Sequence, residues 1–241
     1  MITHKKMHGI WRIIASPVLT EIIAQSGFNF QILDCEHGAY DYQTLETDIR
    51  TCDLYNCLPI IRVSGLNNVE VQRCLDLGAG GIVFPQLTNF DDFQHATKLL
   101  NYAPEGLRGY NPFVRASNYG ISDKTKKNLN PLCIPIIETL TAVNDLDKIL
   151  TLDRIDAIYI GSYDLSAQLG CIGQMDNPKL IELTNLIIKK CNDASKPVGL
   201  MINDVNQHKN YKQKGVTIFV NKVDSYQIKN TFTNIIKQYI I

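Results

Sequence analysis

Short apolar runs return along this chain at an even pace, each followed by a stretch of a different rhythm. The first half holds "IWRII" (10–14), "FQIL" (30–33), "LPIIRV" (58–63) and "GGIVFP" (80–85). "CIPIIE" (133–138), "AIYIG" (157–161), "PVGLMI" (197–202) and "VTIFV" (216–220) complete the series. Runs this short, without polar alternation, suit strands covered on both faces. The stretches between them have helical period. "SPVLTEIIAQSG" opens on Ser16 as N-cap with Pro17 at the first helical position, and Gly27 stops it. "NNVEVQRCLDLGAG" sets Val69, Cys74, Leu75 and Leu77 on one apolar arc before Gly78. "NFDDFQHATKLLNYAPEG", "TAVNDLDKILTLDR", "NPKLIELTNLIIKKCNDASK", "NDVNQHKNYKQKG" and "SYQIKNTFTNIIKQYI" carry the alternation onward.

Eight strands, each followed by a helical segment, in 241 residues with no Pro/Gly/Ser-rich linker predict a single-domain (β/α)8 TIM barrel over residues 1–241. An open doubly wound sheet is the competing architecture. It usually carries a glycine-rich phosphate loop after its first strand, and "IIASPVLTE" has none. Two stretches break the rhythm, 108–130 and 162–178. Long connections inside a compact domain are often functional.

In such a barrel the chemistry sits at the C-terminal ends of the strands, where the βα loops converge. The second strand ends in Asp34-Cys35-Glu36-His37, the third in Arg62 and the fourth in Pro85-Gln86. The fifth ends in Glu138, and the sixth leads through Gly161 to Asp164. Arg62 and Glu138 each close an otherwise apolar run, and a lone buried charge must be paired or bind something. Taken singly, the two residues could pair with each other as structural ions. Five polar strand ends on one rim point instead to a site. Two carboxylates from neighbouring strands, without a cysteine cluster or a histidine pair, make a hard oxygen site suited to Mg²⁺ or Mn²⁺. His37 is the one histidine at a strand end; beside Asp34 it suits acid/base work. Arg62 near a divalent ion would steady an oxyanion. Together these groups describe proton removal next to a carbonyl, or carbon–carbon cleavage to an enolate. No strand ends in a lysine placed for a Schiff base, so a metal-dependent route is expected over an imine.

Composition narrows the setting. Lys plus Arg equals Asp plus Glu, so no global charge calls for nucleic acid or an anionic membrane. The late lysine runs read as solvated helix faces. No segment nears the roughly 20 consecutive apolar residues of a membrane helix, and "MITHKKMHGIWRIIASP" holds no signal-peptide core. Seven cysteines stand singly with no CxxC, which suits free thiols in a reducing cytoplasm.

With these residues in view, the chain resembles the HpcH/HpaI aldolase family, metal-dependent class II pyruvate aldolases on the (β/α)8 barrel. The resemblance runs almost end to end. It is carried by "GFNFQILDCEHGAYDYQTLE", "PIIRVSGLNN", "CLDLGAGGIVFPQLTN", "RGYNPFVRAS", "IIETLTAVNDLDKIL" and "IYIGSYDLSAQLG". It implies Glu138 and Asp164 as ligands of a divalent metal ion, Mg²⁺ or Mn²⁺ first and Co²⁺ or Zn²⁺ as further candidates. It also implies Arg62 on the keto or enolate oxygen and Asp34 with His37 as the acid/base pair. Trp11 matches a family position near the site, though a core aromatic needs no function. Asp76 matches a family aspartate that reaches a neighbouring subunit's site, though a solvated residue near a helix end reads as well. Glu36 would orient its loop. Departures are Ile136, where many members have Gln; Ser162-Tyr163 in "GSYDLSA"; and Pro112-Phe113, where a small polar residue often contacts the pyruvate carboxylate. Backbone N–H groups of the turn through Gly161, Ser162 and Tyr163 to Asp164 can still bind that carboxylate.

The resemblance implies an aldolase that cleaves or forms the C3–C4 bond of a 4-hydroxy-2-oxo acid, giving pyruvate and an aldehyde. The partner would be a small molecule, not nucleic acid or membrane, and the protein a homo-oligomer, often a hexamer with exchanged C-terminal helices. Acyl-CoA cleavage of the citrate-lyase or malyl-CoA-lyase type would need a basic adenosine-phosphate pocket, which the sequence does not display. A catalytically silent barrel subunit is the remaining alternative.

Overall fold

The structure, a computed structural model, describes residues 6–121 and 130–240. Eight parallel strands close on themselves in sequence order, each bonded to the next and the last to the first. They are β1 (Met7–Arg12), β2 (Phe30–Asp34), β3 (Leu58–Arg62), β4 (Gly81–Phe84), β5 (Leu132–Ile137), β6 (Ile158–Ile160), β7 (Val198–Ile202) and β8 (Ile218–Val223). All eight expected runs are strands, so the (β/α)8 barrel holds.

Side chains alternate along each strand, and this separates two layers. Phe30, Ile32, Ile60, Ile134, Ile136 and Val220 point inward and fill the barrel. Leu33, Ile61, Ile82, Ile137, Ile158 and Phe219 point outward into a larger core beneath the helices. The helices are α1 (Pro17–Gln25), α2 (Tyr42–Leu54), α3 (Asn68–Asp76), α4 (Phe90–Leu99), α5 (Leu140–Asn144), α6 (Leu146–Ile149), α7 (Ser162–Gln168), α8 (Pro178–Asp193), α9 (Val205–Gln213) and α10 (Asp224–Lys237). Ser16 caps α1 by accepting from the Leu19 amide, and Gly27 beyond its end lies at φ +93°, as expected for a stop. Asn89 and Asp92 form a reciprocal capping box on α4.

Three expectations change. In α3 Val71, not Val69, joins Cys74 and Leu75 in the core, while Val69 is exposed. At about 100° per residue Val69 lies roughly 120–140° from Cys74 and Leu75, off the buried stripe, whereas Val71 lies within about 60° of both. The segment expected as one helix after β5 is two, α5 and α6, parted at Asp145. Finally, β1 ends at Arg12 rather than residue 14. The amides of Ile13 and Ile14 donate to the Asp224 carboxylate (3.1 and 3.0 Å) instead of a neighbouring strand. The same carboxylate pairs with Arg12 Nε at 3.0 Å, both side chains fully buried, and ties the first strand to the end of the last. The lysines at 124, 126 and 127, like His4, lie outside the described residues.

Candidate active site

Period-two alternation that fills the barrel also builds its mouth. One step past the last inward apolar residue stand Asp34 on β2, Arg62 on β3, Glu138 after β5 and Gly161 after β6. With Trp11, His37 and Asp164 they line one cavity of about 610 Å³ at the C-terminal ends of the strands. That volume lies within the roughly 300–1,000 Å³ usual for small-molecule sites.

Asp34 and Arg62 face each other in the β2–β3 register. Arg62 Nε donates to Asp34 Oδ1 at 2.9 Å, and its Nη2 donates to Oδ2. Nη1 lies 2.8 Å from Glu36 Oε2. The hydrogen bonds to Asp34 use two of the five guanidinium N–H groups, and the rest remain for other acceptors. The guanidinium also sits 4.7 Å from the Trp11 ring centroid, and Trp11 Nε1 donates to Asp34 Oδ2 at 2.9 Å. Burial works to raise the Asp34 carboxyl. Arg62, the Trp11 indole N–H and the His37 amide outweigh it and hold the group below its ordinary value. The bond that joins Asp34 to His37 is to the backbone amide (3.1 Å), beside one to the Glu36 amide (3.0 Å). Asp34 therefore orders the loop that carries the exposed imidazole rather than gripping the ring. Arg62 pairs with Asp34 and Glu36, not with Glu138 as the structural-ion reading required.

Glu138 is 5% exposed. Its Oε1 accepts the backbone N–H of Gln86, whose φ of +58° turns that amide inward. The Gln86 side-chain amide donates to Glu36 Oε1 at 2.5 Å, so one residue after β4 braces two carboxylates. Burial pushes the Glu138 carboxyl up to about 7, and the negative charges of Asp164 and Glu36 add to the shift. Gly161 allows the close approach here: a Cβ on it would stand 2.5 Å from Glu138 Cβ. Asp164 lies in the first turn of α7, exposed toward the cavity. Ser166 steadies that turn by donating to the Tyr163 carbonyl (2.6 Å) and accepting from the Gly173 amide (3.0 Å).

Several lining residues were not foreseen. Tyr159, inward on β6 and 5% exposed, packs 5.3 Å from Trp11. Lys222 is half-buried near the end of β8, at φ +59°, with Nζ 4.0 Å from the Tyr226 ring centroid. No strand was expected to end in a buried lysine that could form a Schiff base; β8 carries a half-buried one. β8 runs on past residue 220, and a register shift against β1 turns the chain there. Asp76 does not line this chain's cavity: it closes α3 and pairs with buried Arg108 at 3.4 Å. Pro112 and Phe113 do not line it either. Their segment lies against α3, anchored by Arg115 to Asp53 (2.5 Å) and the Leu77 carbonyl (2.9 Å). Among the described residues no group of three His, Cys, Asp or Glu side chains is arranged to hold a metal ion.

The family model described as HpcH/HpaI aldolase/citrate lyase matches residues 8–231. The chain is similar to the 4-hydroxy-2-oxo-heptane-1,7-dioate aldolase of Shigella sonnei (strain Ss046), 29% identical over 220 residues, which cover 90% of this chain and 84% of that protein. Among solved structures, an HpcH/HpaI aldolase/citrate lyase family protein from Burkholderia cenocepacia J2315 matches with a TM-score of 0.92 at 23% identity. That match covers 99% of this chain and 96% of the other, and at such identity it speaks for the fold. Citrate synthase SbnG matches with a TM-score of 0.88 at 27% identity, covering 98% and 94%.

Proposed function

Because the chain belongs to the HpcH/HpaI aldolase/citrate lyase family, and is thereby a carbon–carbon lyase, we propose that it cleaves or forms the C3–C4 bond of a 4-hydroxy-2-oxo acid. The products of cleavage are pyruvate and an aldehyde. The observation that carries this reading is the convergence of Glu138, Asp164, Arg62, Asp34 and His37 on one cavity.

The residues fit a hard divalent cation, Mg²⁺ or Mn²⁺. Glu138 is a buried carboxylate with like charges near it and one amide donor, an arrangement that a cation would relieve. Glu138 and Asp164 would hold it, with water and substrate oxygens completing the shell. When bound it would polarise the keto acid and offset the charge of the enolate.

This chain's own residues do the rest. The exposed His37 imidazole takes the proton from the C4 hydroxyl, in a loop fixed by Asp34. The C3–C4 bond then breaks, the aldehyde leaves, and the electron pair remains on the three-carbon enolate. The unused N–H groups of Arg62 hydrogen-bond the enolate oxygen. A proton returned to C3 gives pyruvate. The Gly161 amide is given to the Ile137 carbonyl, so the amides of Ser162 and Tyr163 at the start of α7 hold the carboxylate, and Trp11 walls the site beside Arg62.

The exposed apolar face of α10 supports a homo-oligomer, in which Asp76 would serve a neighbouring subunit's site; a hexamer is the form we propose. All seven thiols are free, which supports a reducing compartment such as the cytoplasm. No helix among the described residues is long and apolar enough to cross a membrane.

The test is the pyruvate methyl signal in D₂O, followed by proton NMR with Mn²⁺ or Mg²⁺ and an EDTA control. Exchange needs only the enolate half of the reaction. We expect exchange with metal and its loss in EDTA and in Glu138→Ala. No exchange by a folded, metal-binding protein would overturn the reading.

A further inference from the structure

Buried polar groups almost always have a hydrogen-bond partner, so an exception calls for a physical reason. Among the described residues that line the main cavity, Tyr159 is the exception: its hydroxyl is buried and has no partner. Its neighbours explain the lack. Across the β5–β6 pairing Tyr159 faces Ile136, which offers only hydrocarbon. On its other side the ring packs against Trp11, whose indole N–H is already given to Asp34. Leaving a hydroxyl buried and unpaired costs about 1–3 kcal/mol, whereas Phe would fill the same space without that cost. The position makes sense if the partner arrives with the substrate.

Geometry also indicates where that partner lies. Arg62 lies over the Trp11 ring at 4.7 Å, and Trp11 meets Tyr159 at 5.3 Å with the rings tilted by 52°, so guanidinium and phenol both border Trp11 in the cavity. The phenol lies within the fields of both Arg62 and Glu138. Burial pushes it well above its ordinary value, so it stays protonated and can only donate to an anionic oxygen.

We propose that the Tyr159 hydroxyl donates a hydrogen bond to the keto oxygen of the bound 2-oxo acid, where the enolate charge develops, and is thus a further catalytic residue. The inference rests on the pyruvate-enolate reading above. The hydroxyl is closed off from solvent, so substrate reaches it only as the side chains around it shift, and the donor then meets the enolate charge away from water.

The test is Tyr159→Phe, which keeps the ring packing and removes one oxygen. Pyruvate methyl exchange in D₂O is measured across pyruvate concentrations with Mn²⁺, and Tm is measured alongside. Exchange at saturating pyruvate should fall roughly 10- to 100-fold, KM should move less than the rate, and Tm should stay level or rise. Ile136→Gln added to this variant restores a donor on the facing strand and should recover part of the rate. A Tyr159→Phe rate equal to wild type would overturn the inference and leave the pyruvate reading standing; an ordered water would then satisfy the hydroxyl. A fall in Tm with a matching fall in rate would assign the hydroxyl a structural bond and overturn it too. No exchange in the wild type would remove the pyruvate reading and this inference with it.

Discussion

Glu138 shows how one buried carboxyl links site and stability. Its folded-state value, about 7 against an ordinary 4.5, means that the folded chain holds this proton more tightly than the unfolded chain does. The stabilisation is full below pH 4.5 and is lost as pH rises through 7. Its size is about 3 kcal/mol by the pKa difference. With EDTA present, the Tm of Glu138→Gln should therefore gain on wild type between pH 5 and 8.5, by several degrees at the upper end. A difference that stays flat with pH would contradict this assignment. Arg62, Glu138 and Asp34 could be read from sequence because each is a charge ending an apolar run. Tyr159 and Lys222 could not. An inward Tyr among strand residues looks like core, and a lysine at φ +59° depends on a local register shift. Gln86 was noticed at a strand end, but its backbone amide, not its side chain, reaches Glu138.

Among the elements, the strands declared themselves and the helices less so. Fully buried strands leave unbroken apolar runs, which is why all eight were legible. In α2 the buried positions are spread over Leu45, Asp48, Ile49 and Cys52, and mean polarity hides the stripe; its clearest mark is the capping Asp41. The end of β1 was misplaced because a side chain far along the sequence takes its last amides. That side chain, Asp224, accepts from Arg12, Ile13, Ile14 and Ser225. Asp224→Ala would take the paired carboxylate from a buried guanidinium, leaving it Thr20, Gln31 and two carbonyls, and leave the amides at the end of β1 unsatisfied. Urea unfolding should show a loss of about 3–5 kcal/mol. Since Ile13 and Ser225 line the cavity, KM for pyruvate should rise as well. A loss below about 1 kcal/mol, the scale of an exposed pair, would show that the contact contributes little.

At the scale of the whole molecule, α10 leaves an apolar face that the barrel does not cover. Asp224 is its one buried residue, while Phe232, Ile235, Ile236, Tyr239 and Ile240 form an exposed apolar set at its far end. In the homo-oligomer we propose, such a face belongs at a subunit contact. Light scattering should give a multiple of the 27.2 kDa chain mass, and Phe232→Glu with Ile236→Glu should reduce it to one chain. A monomeric wild type would refute this. The bond between Arg12 and Asp224 has a consequence in time as well as in space. Its two ends are 212 positions apart, so at roughly 5–20 residues per second of synthesis the arginine waits on the order of 10–40 s for its partner to be made. Until then it has neutral acceptors close in sequence, Thr20, Gln31 and the carbonyls of Ile14 and Ser16, but lacks the carboxylate that ties the two strands together. The join between the first strand and the eighth is therefore among the last contacts to form, and the pocket beside it is completed only when the eighth strand and the residues just after it have been made.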